Sequence, residues 1–308
     1  MEYLNIHGDF PRLLNSAVTL GKFDGVHRGH QKLVEKILEK KEEGAQAVLF
    51  AFLSSSQMID TREERAEFLE SLGVDVLLEC ALDQKMRHMK AETFVKEILV
   101  GDLHACYVAV GEDFRFGHER KGTPALLEEM GKDYGFEVEI LPKEMQDNRK
   151  ISSTYIREEL RKGNMEKVNL LLGRPFSLKG TVQHGRGMGH KFLFPTANLV
   201  PTEEKLMPPN GVYITASRFG DRILQGITNV GYKPTVGEKF LGVETYLFDC
   251  SEDLYGRECV VEFFRFQRPE QKFASFEALR GQMQRDIAAG KEFFDEKSVD
   301  KMRKIRYS

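Results

Sequence analysis

From Val18 to about Pro142 the chain alternates between short apolar runs and stretches in which apolar residues recur every three or four positions. The runs Ala17–Leu20, Ala47–Phe52, Val74–Glu79, Cys106–Val110 and Phe136–Leu141 predict strands, and the stretches near 29–43, 62–72, 91–100 and 123–134 predict helices between them. Such alternation predicts a parallel sheet covered by helices on both faces, because parallel neighbours need a crossover that returns the chain to the same end of the sheet. In the first helix Leu33, Val34, Ile37 and Leu38 form one apolar stripe, Lys and Glu fill the rest, and Gly44 supplies the stop.

A helical segment from Ser153 to about Gly173, broken at Gly163-Asn164, leads into a different pattern. After Pro175 the helical period fades. Gly211–Arg218 and Glu258–Phe264 predict antiparallel strands, with a tight turn at Gly220-Asp221. A small antiparallel β-barrel follows from these, with a terminal amphipathic helix, roughly Phe276 to Ala289, that puts Leu279, Met283 and Ile287 on one face. No internal repeat or low-complexity segment interrupts the two halves.

Composition changes this picture little. At 308 residues each half can bury its own core. Charged residues make up 30% and the net charge is only -3, so neither nucleic acid nor anionic lipid is an expected partner. No apolar run approaches the roughly 20 residues that span a bilayer, and Met1–Asn5 lacks the features of a signal peptide, so a cytoplasmic location is expected. Cys80, Cys106, Cys250 and Cys259 form no Cys-x-x-Cys pair and have mostly apolar flanks; buried free thiols in a reducing compartment are expected.

The candidate chemistry starts at Gly21-Lys22-Phe23-Asp24-Gly25-Val26-His27-Arg28-Gly29-His30, where the first predicted strand turns into the first helix. Two imidazoles at a helix N-terminus, separated by a glycine, suit a nucleotide phosphate, which unpaired N–H groups and the helix dipole also attract. Two plainer readings exist: Asp24, His27 and His30 have a spacing that could ligate a metal, and two histidines can simply sit on a solvated turn. Gly111-Glu112-Asp113-Phe114-Arg115-Phe116-Gly117 follows another strand, and its charged side chains are expected at the same sheet edge. Ile151-Ser152-Ser153-Thr154-Tyr155-Ile156-Arg157 opens a helix with three hydroxyls and an arginine, more than a cap needs and suited to a second phosphate site.

In the second half Gly185-Arg186-Gly187-Met188-Gly189-His190-Lys191 is a glycine-rich cationic loop that reads as a hairpin turn or a phosphate cradle. It precedes Phe194-Pro195-Thr196-Ala197-Asn198, where Thr196 and Asn198 share one side of an extended segment and offer hard oxygen donors suited to magnesium. Glu244 lies in an apolar strand and reads by itself either as a solvated outward carboxylate or as a base.

Taken in order, these motifs resemble bacterial bifunctional riboflavin kinase/FAD synthetases over nearly the whole chain, from about Val18 to Asp286. The first half carries the family's His-x-Gly-His turn, Gly-x-Asp-Phe-x-Phe-Gly loop and Ile-Ser-Ser-Thr-x-Ile-Arg helix start. The second carries Pro-Thr-Ala-Asn, Asn229-Val230-Gly231, the Glu244 strand, Leu254-Tyr255-Gly256 and Arg268-Pro269-Glu270. The resemblance implies an α/β chain with a Rossmann-like nucleotidylyltransferase domain over 1–173 and a riboflavin kinase β-barrel domain over 174–308. It implies ATP and Mg2+ as cofactors, and riboflavin, FMN and FAD as substrates and products; self-association is left open. By the same resemblance Gly21, Phe23, Asp24, Gly25, His27, His30 and Asp113 serve nucleotide binding, with His27 and His30 catalytic, and Ser153, Thr154 and Arg157 take the departing phosphates. Gly185, Gly187 and Gly189 border the second nucleotide site, Thr196 and Asn198 serve MgATP, and Glu244 activates the riboflavin hydroxyl.

Two stretches depart from the family's usual pattern. Phe52–Gln57 stands where Phe-Asp-Pro-His-Pro is common, and His190 and Leu193 stand in place of a basic residue and a glycine. These departures define the alternatives: an adenylyltransferase with a silent barrel, or a flavin-binding regulatory protein. A class I tRNA-synthetase-like protein, which shares His-x-Gly-His, is disfavoured by the lack of a basic RNA-binding segment.

Overall fold

The computed structural model describes residues 1–53, 57–183, 196–234 and 239–296. The chain packs into two units, Met1–Ser152 and Ser153–Ser308.

The first unit is a six-stranded, wholly parallel sheet of β1 (Glu2–Ile6), β2 (Ser16–Gly21), β3 (Gln46–Phe52), β4 (Val76–Cys80), β5 (Ala105–Gly111) and β6 (Glu137–Leu141), followed by a small hairpin of β7 (Met145–Gln146) and β8 (Arg149–Lys150). Alternate residues of one strand enter different cores. Val18, Val48, Phe50, Val76 and Val108 pack on one face, while Ala17, Leu49, Leu77, Tyr107 and Ala109 pack on the other against Leu33, Val34, Ile37 and Leu69. The helices begin and end where their residues direct. In α1 (Arg28–Glu39) His27 is the N-cap, and a last tight turn over Lys40–Glu43 ends at Gly44, whose φ of 84° favours glycine. Helix α2 (Arg62–Leu72) opens with a reciprocal Thr61/Glu64 capping box.

After β4 come two short helices, α3 (Gln84–His88) and α4 (Ala91–Thr93). The helix expected near 91–100 widens after Thr93 into π-type turns over Phe94–Asp102, which keep Phe94, Val95, Ile98 and Leu99 buried. Helix α5 (Pro124–Tyr134) has Thr123 as cap and proline in its first turn.

The strand order β1-β4-β3-β2-β5-β6 makes β2 the point where the chain reverses its direction of growth across the sheet. Loops after β2 and β5 therefore flank a crevice at the carboxyl edge, where open α/β sheets bind ligands. Strand β1 adds to the expected set. Only Ile6 of its five residues is buried, so an edge strand held by parallel pairing to β4 leaves almost no apolar signal.

The second unit opens with α6 (Ser153–Arg161) and α7 (Met165–Leu172), separated by Gly163 at φ 75°. Asn169 fastens α7 to the sheet, its amide donating to the Phe263 carbonyl and accepting from the Phe176 N–H, both at 2.8 Å. The sheet is antiparallel, with β9 (Phe176–Thr181), β10 (Thr196–Leu199), β11 (Gly211–Phe219), β12 (Arg222–Pro234), β13 (Lys239–Leu247) and β14 (Glu258–Arg268) in the order β10-β13-β12-β11-β14-β9. Beyond β9, the Gln183 N–H donates to the Asn198 carbonyl at 2.8 Å, so the two outer strands meet and the sheet closes into the expected barrel. Gly220 at φ 60° makes the two-residue turn between β11 and β12.

Two expectations are corrected. Helix α8 (Phe276–Glu296) is longer than the sequence pattern implied, and Leu279, Met283 and Ile287 are only half-buried; Asp286, Gly290, Phe293 and Phe294 are the residues it buries. The cause is local: Gly290 leaves room for the Phe248 ring, and Phe293 and Phe294 join Phe264 and Ile227 in a core that anchors the C-terminal half of the helix. Cys80, Cys250 and Cys259 are buried free thiols, but Cys106 is exposed, since it sits at the uncovered start of β5.

Asp286, almost fully buried, locks α8 to β14 through Arg268, whose Nη2 lies 2.6 Å from Oδ2. Removing one partner of such a pair strands the other, so Asp286→Ala should cost about 3 kcal/mol, read as a lower urea midpoint for the barrel unit with an unchanged slope. A midpoint equal to that of the unaltered protein would refute this role for the pair.

Candidate active sites

The turn after β2 is tight because its backbone is forced. Phe23 stands at φ 49° and Val26 at φ 32°, and Gly25 at φ 81° runs against Ile59, where a Cβ would lie 3.0 Å from Ile59 Cδ1. Left-handed backbone costs non-glycine residues on the order of 1–3 kcal/mol each, so surrounding structure must hold it. Part of that support is Asp24, whose Oδ1 accepts the Ile59 N–H at 2.8 Å; part is the complete burial of Phe23 and Val26.

This turn delivers both histidines. His27 takes extended backbone angles as N-cap, and its Nδ1 accepts the His30 N–H at 3.3 Å. An accepting Nδ1 puts the proton of a neutral ring on Nε2, where it is a donor. The His27 and His30 rings stack at 3.6 Å, nearly parallel, and Phe23 closes the other side of His30 at 4.9 Å. Burial pushes His27 down to about 4, with the Lys143 charge adding to that, against a backbone hydrogen bond that raises it. His30 lies well below the usual imidazole range, first through burial, then through His27 and Arg65. Both rings are therefore neutral at pH 7, and His30 Nδ1 is enclosed without a hydrogen-bond partner.

Further side chains complete this site. Asp113, on the loop after β5, pairs with Lys143, which follows β6 and acts electrostatically on His27, so the Gly111 loop and the His turn do share one edge. Arg28 pairs with Glu144 at 2.8 Å, and Arg65 reaches the Lys22 carbonyl from α2. Lys143 and Arg65 were not singled out from the sequence. The signal for Lys143 was a cation directly after a strand's carboxyl end; Arg65 looked like any charged residue on a surface helix.

Asp24 is committed to the Ile59 amide while the two imidazoles face each other, an arrangement unlike three ligands converging on a metal. Among the described residues no cluster of three His, Cys, Asp or Glu side chains could hold a metal ion. Gly21 packs under the Phe23 ring. Ser153, Thr154 and Arg157 lie on the first turns of α6, in the second unit.

In the barrel, β10 and β12 flank β13, so Asn198 and Asn229 both stand opposite Glu244. The Thr196 hydroxyl donates to Glu244 Oε1 at 3.1 Å, and the Asn198 amide donates to Thr196 Oγ1 at 3.4 Å. Glu244 is half-buried, Asn198 buried, and the three form one chain of polar contacts. Thr196 Oγ1, the Asn198 amide oxygen and the Glu244 carboxylate are hard oxygens of the kind magnesium takes. Gly185, Gly187, Gly189, His190 and Leu193, and Ser54–Ser56 of the departing stretch, lie outside the described residues.

A crevice over paired imidazoles on a parallel sheet, joined in one chain to a closed barrel with a strand-borne carboxylate, defines a two-domain nucleotide-using transferase. Comparison with known proteins agrees. Residues 11–155 match the FAD synthetase family model and residues 172–294 the riboflavin kinase model. A bifunctional riboflavin kinase/FMN adenylyltransferase of Escherichia coli (strain K12) is 35% identical over 289 residues, covering 90% of this chain and 92% of the relative. One from Haemophilus influenzae is 34% identical over 295 residues, covering 92% and 96%. A crystal structure described as a macrolide-efflux protein from Streptococcus pneumoniae superposes with a TM-score of 0.84 at 28% identity, covering 94% of this chain and 99% of the other. The chain belongs to the bifunctional riboflavin kinase/FMN adenylyltransferase family. Among the described residues no helix is long and apolar enough to cross a membrane.

The depressed His27 sets a pH dependence. The unfolded chain takes up a proton near 6.5 and the folded chain only near 4, so the histidine's contribution is complete above 6.5 and is lost as pH falls toward 4. Between pH 7 and pH 4 the unaltered protein should lose about 3 kcal/mol more stability than His27→Gln, measured by urea unfolding of the first unit. Equal losses would show that His27 is not desolvated.

Proposed function

We propose that the barrel transfers the γ-phosphoryl group of ATP to the ribityl 5′-hydroxyl of riboflavin, and that the first unit transfers AMP from a second ATP to the resulting FMN. The observation that carries the second reaction is the stacked, neutral imidazole pair at the N-terminus of α1, whose first turn holds no acidic side chain. A phosphate oxygen of FMN attacks the α-phosphorus, the bond to the bridging oxygen breaks, and pyrophosphate leaves. The nucleophile is already ionised, so the site needs no strong base. What it supplies is position and donors for the charge that develops on the phosphate oxygens. His27 Nε2–H and the His30 ring are such donors, at a helix N-terminus whose dipole favours negative charge. Gly21, Phe23, Asp24 and Gly25 shape the turn, Asp113 helps hold the substrates, and Ser153, Thr154 and Arg157 bind the departing pyrophosphate.

In the barrel a neutral hydroxyl must attack, so a base is needed. Glu244, resting against the Thr196 hydroxyl, accepts the 5′-hydroxyl proton as the oxygen adds to the γ-phosphorus and ADP leaves. Thr196 and Asn198 would hold magnesium there; the bound ion would neutralise phosphate charge. Gly185, Gly187 and Gly189 border the same nucleotide.

Chromatography of riboflavin, FMN and FAD after incubation with MgATP tests both reactions. Glu244→Gln should cut FMN formation by about 100-fold or more and leave FAD formation from supplied FMN intact. His30→Ala should do the reverse, by about 100-fold. Loss of both activities in either folded variant would refute separate sites, and FAD formation from FMN alone in the unaltered protein would make the barrel silent.

A further inference from the structure

The first unit contains a buried ionic cluster that the reaction above does not use. Arg65 on α2 and Glu79 on β4 pair with each other almost wholly out of solvent. Tyr3 of β1 donates to the second carboxylate oxygen of Glu79 at 2.6 Å. From this anchor the guanidinium extends toward the His turn: Nη1 donates to the Lys22 carbonyl at 3.4 Å, and Nε is enclosed without a hydrogen-bond partner. Lys22 directly precedes Phe23, the first left-handed residue of the turn, so the bond falls on the peptide unit that sets its direction.

Stability does not account for this cluster. Buried ion pairs are often matched or bettered by apolar residues of similar size, and Leu69 of the same helix and Leu77 of the same strand are buried in the apolar core alongside. Its position points elsewhere. It lies behind the only turn that presents two imidazoles among the described residues, and its cation is one of the charges that disfavour protonation of His30.

We propose that Arg65 is a positioning residue for AMP transfer, fixing the Lys22–Phe23 peptide and holding a positive charge behind His30, with Glu79, which also accepts the Tyr3 hydroxyl, as its buried counter-ion. This rests on the assignment of the His turn to nucleotide chemistry. A fixed guanidinium behind His30 disfavours a second positive charge there, so the ring stays neutral while the peptide ahead of it is held in place. The groups facing Arg65 are Tyr3 from β1, Asp24 from the turn, Asp60 and Arg62 from the start of α2, and Glu79 from β4. Those facing His30 are His27 and Arg65, and Lys143 acts on His27.

The test uses the full chain, with the barrel's conversion of riboflavin to FMN as the control for intact protein. Arg65→Met/Glu79→Leu removes both charges together. The His30 imidazole, followed by NMR, should gain about tenfold in proton affinity, and the acid limb of the pH profile for FAD formation should move upward with it. At pH 7.5 kcat for FAD formation should fall about tenfold or more, while riboflavin phosphorylation stays within about twofold. Arg65→Lys, which keeps the charge, should restore the imidazole titration but only part of the rate. Unchanged imidazole titration and an unmoved pH profile in the double variant would overturn the proposal. Should the double variant not fold, Glu79→Gln decides: it leaves Arg65 charged without its carboxylate, so His30 proton affinity should drop further, and an unchanged affinity overturns the proposal. If the unaltered protein forms no FAD, the reading of the turn fails, while the imidazole titrations still judge the influence of Arg65 on His30.

Discussion

Two imidazoles stacked at 3.6 Å in a largely dry turn cannot both carry charge, and much of the first unit is arranged around that constraint. The left-handed backbone at Phe23, Gly25 and Val26 folds the chain back so that α1 begins under the crevice. Asp24 accepts the Ile59 N–H, which ties the turn to the segment leading into α2. Every cation that acts on the pair, Arg65 and Lys143 included, has an acidic partner of its own in Glu79 or Asp113. The result is a neutral, donor-bearing pocket that meets negative charge without first losing a proton to solvent.

The barrel meets a different constraint. It keeps a half-buried carboxylate, Glu244, within a small antiparallel sheet. Thr215, Thr228 and Thr245, all fully buried on adjacent strands, pass hydrogen bonds at 2.7 and 2.8 Å across β11, β12 and β13, so the polar groups of that interior satisfy one another. Glu244 is one residue away from Thr245, hence on the other face of β13, and reaches Thr196 instead. Strand alternation alone separates the buried hydroxyls from the Glu244 carboxylate.

Local pattern exposed much of this. Strand runs, capping residues and the glycine stop at Gly44 each acted within one element, and the His turn stood out because glycine, aspartate and two histidines crowd one strand end. What stayed hidden depends on contacts between distant segments. Strand β1 has hardly any apolar face, and Glu79 reads as a polar interruption in Val76–Cys80 until Arg65 and Tyr3 are brought to it. Ile287 of the expected face of α8 does pack on the barrel core, but the helix runs on past Ala289 because Asp286 and Gly290 are buried against Arg268 of β14 and the Phe248 ring, contacts that periodicity does not reveal. Cys106 follows the same rule in reverse, since a strand's first residues outrun the helices that cover it.

Among the described residues the barrel closes at one bridge, between Gln183 and Asn198. A ring of strands opens first where its ladder is shortest. Asn198 belongs to both that bridge and the Thr196–Glu244 chain, so an opening there loosens those polar contacts at the same moment. A ligand held by these residues would act as a clasp. Its occupancy and the closure of the ring would then be one equilibrium.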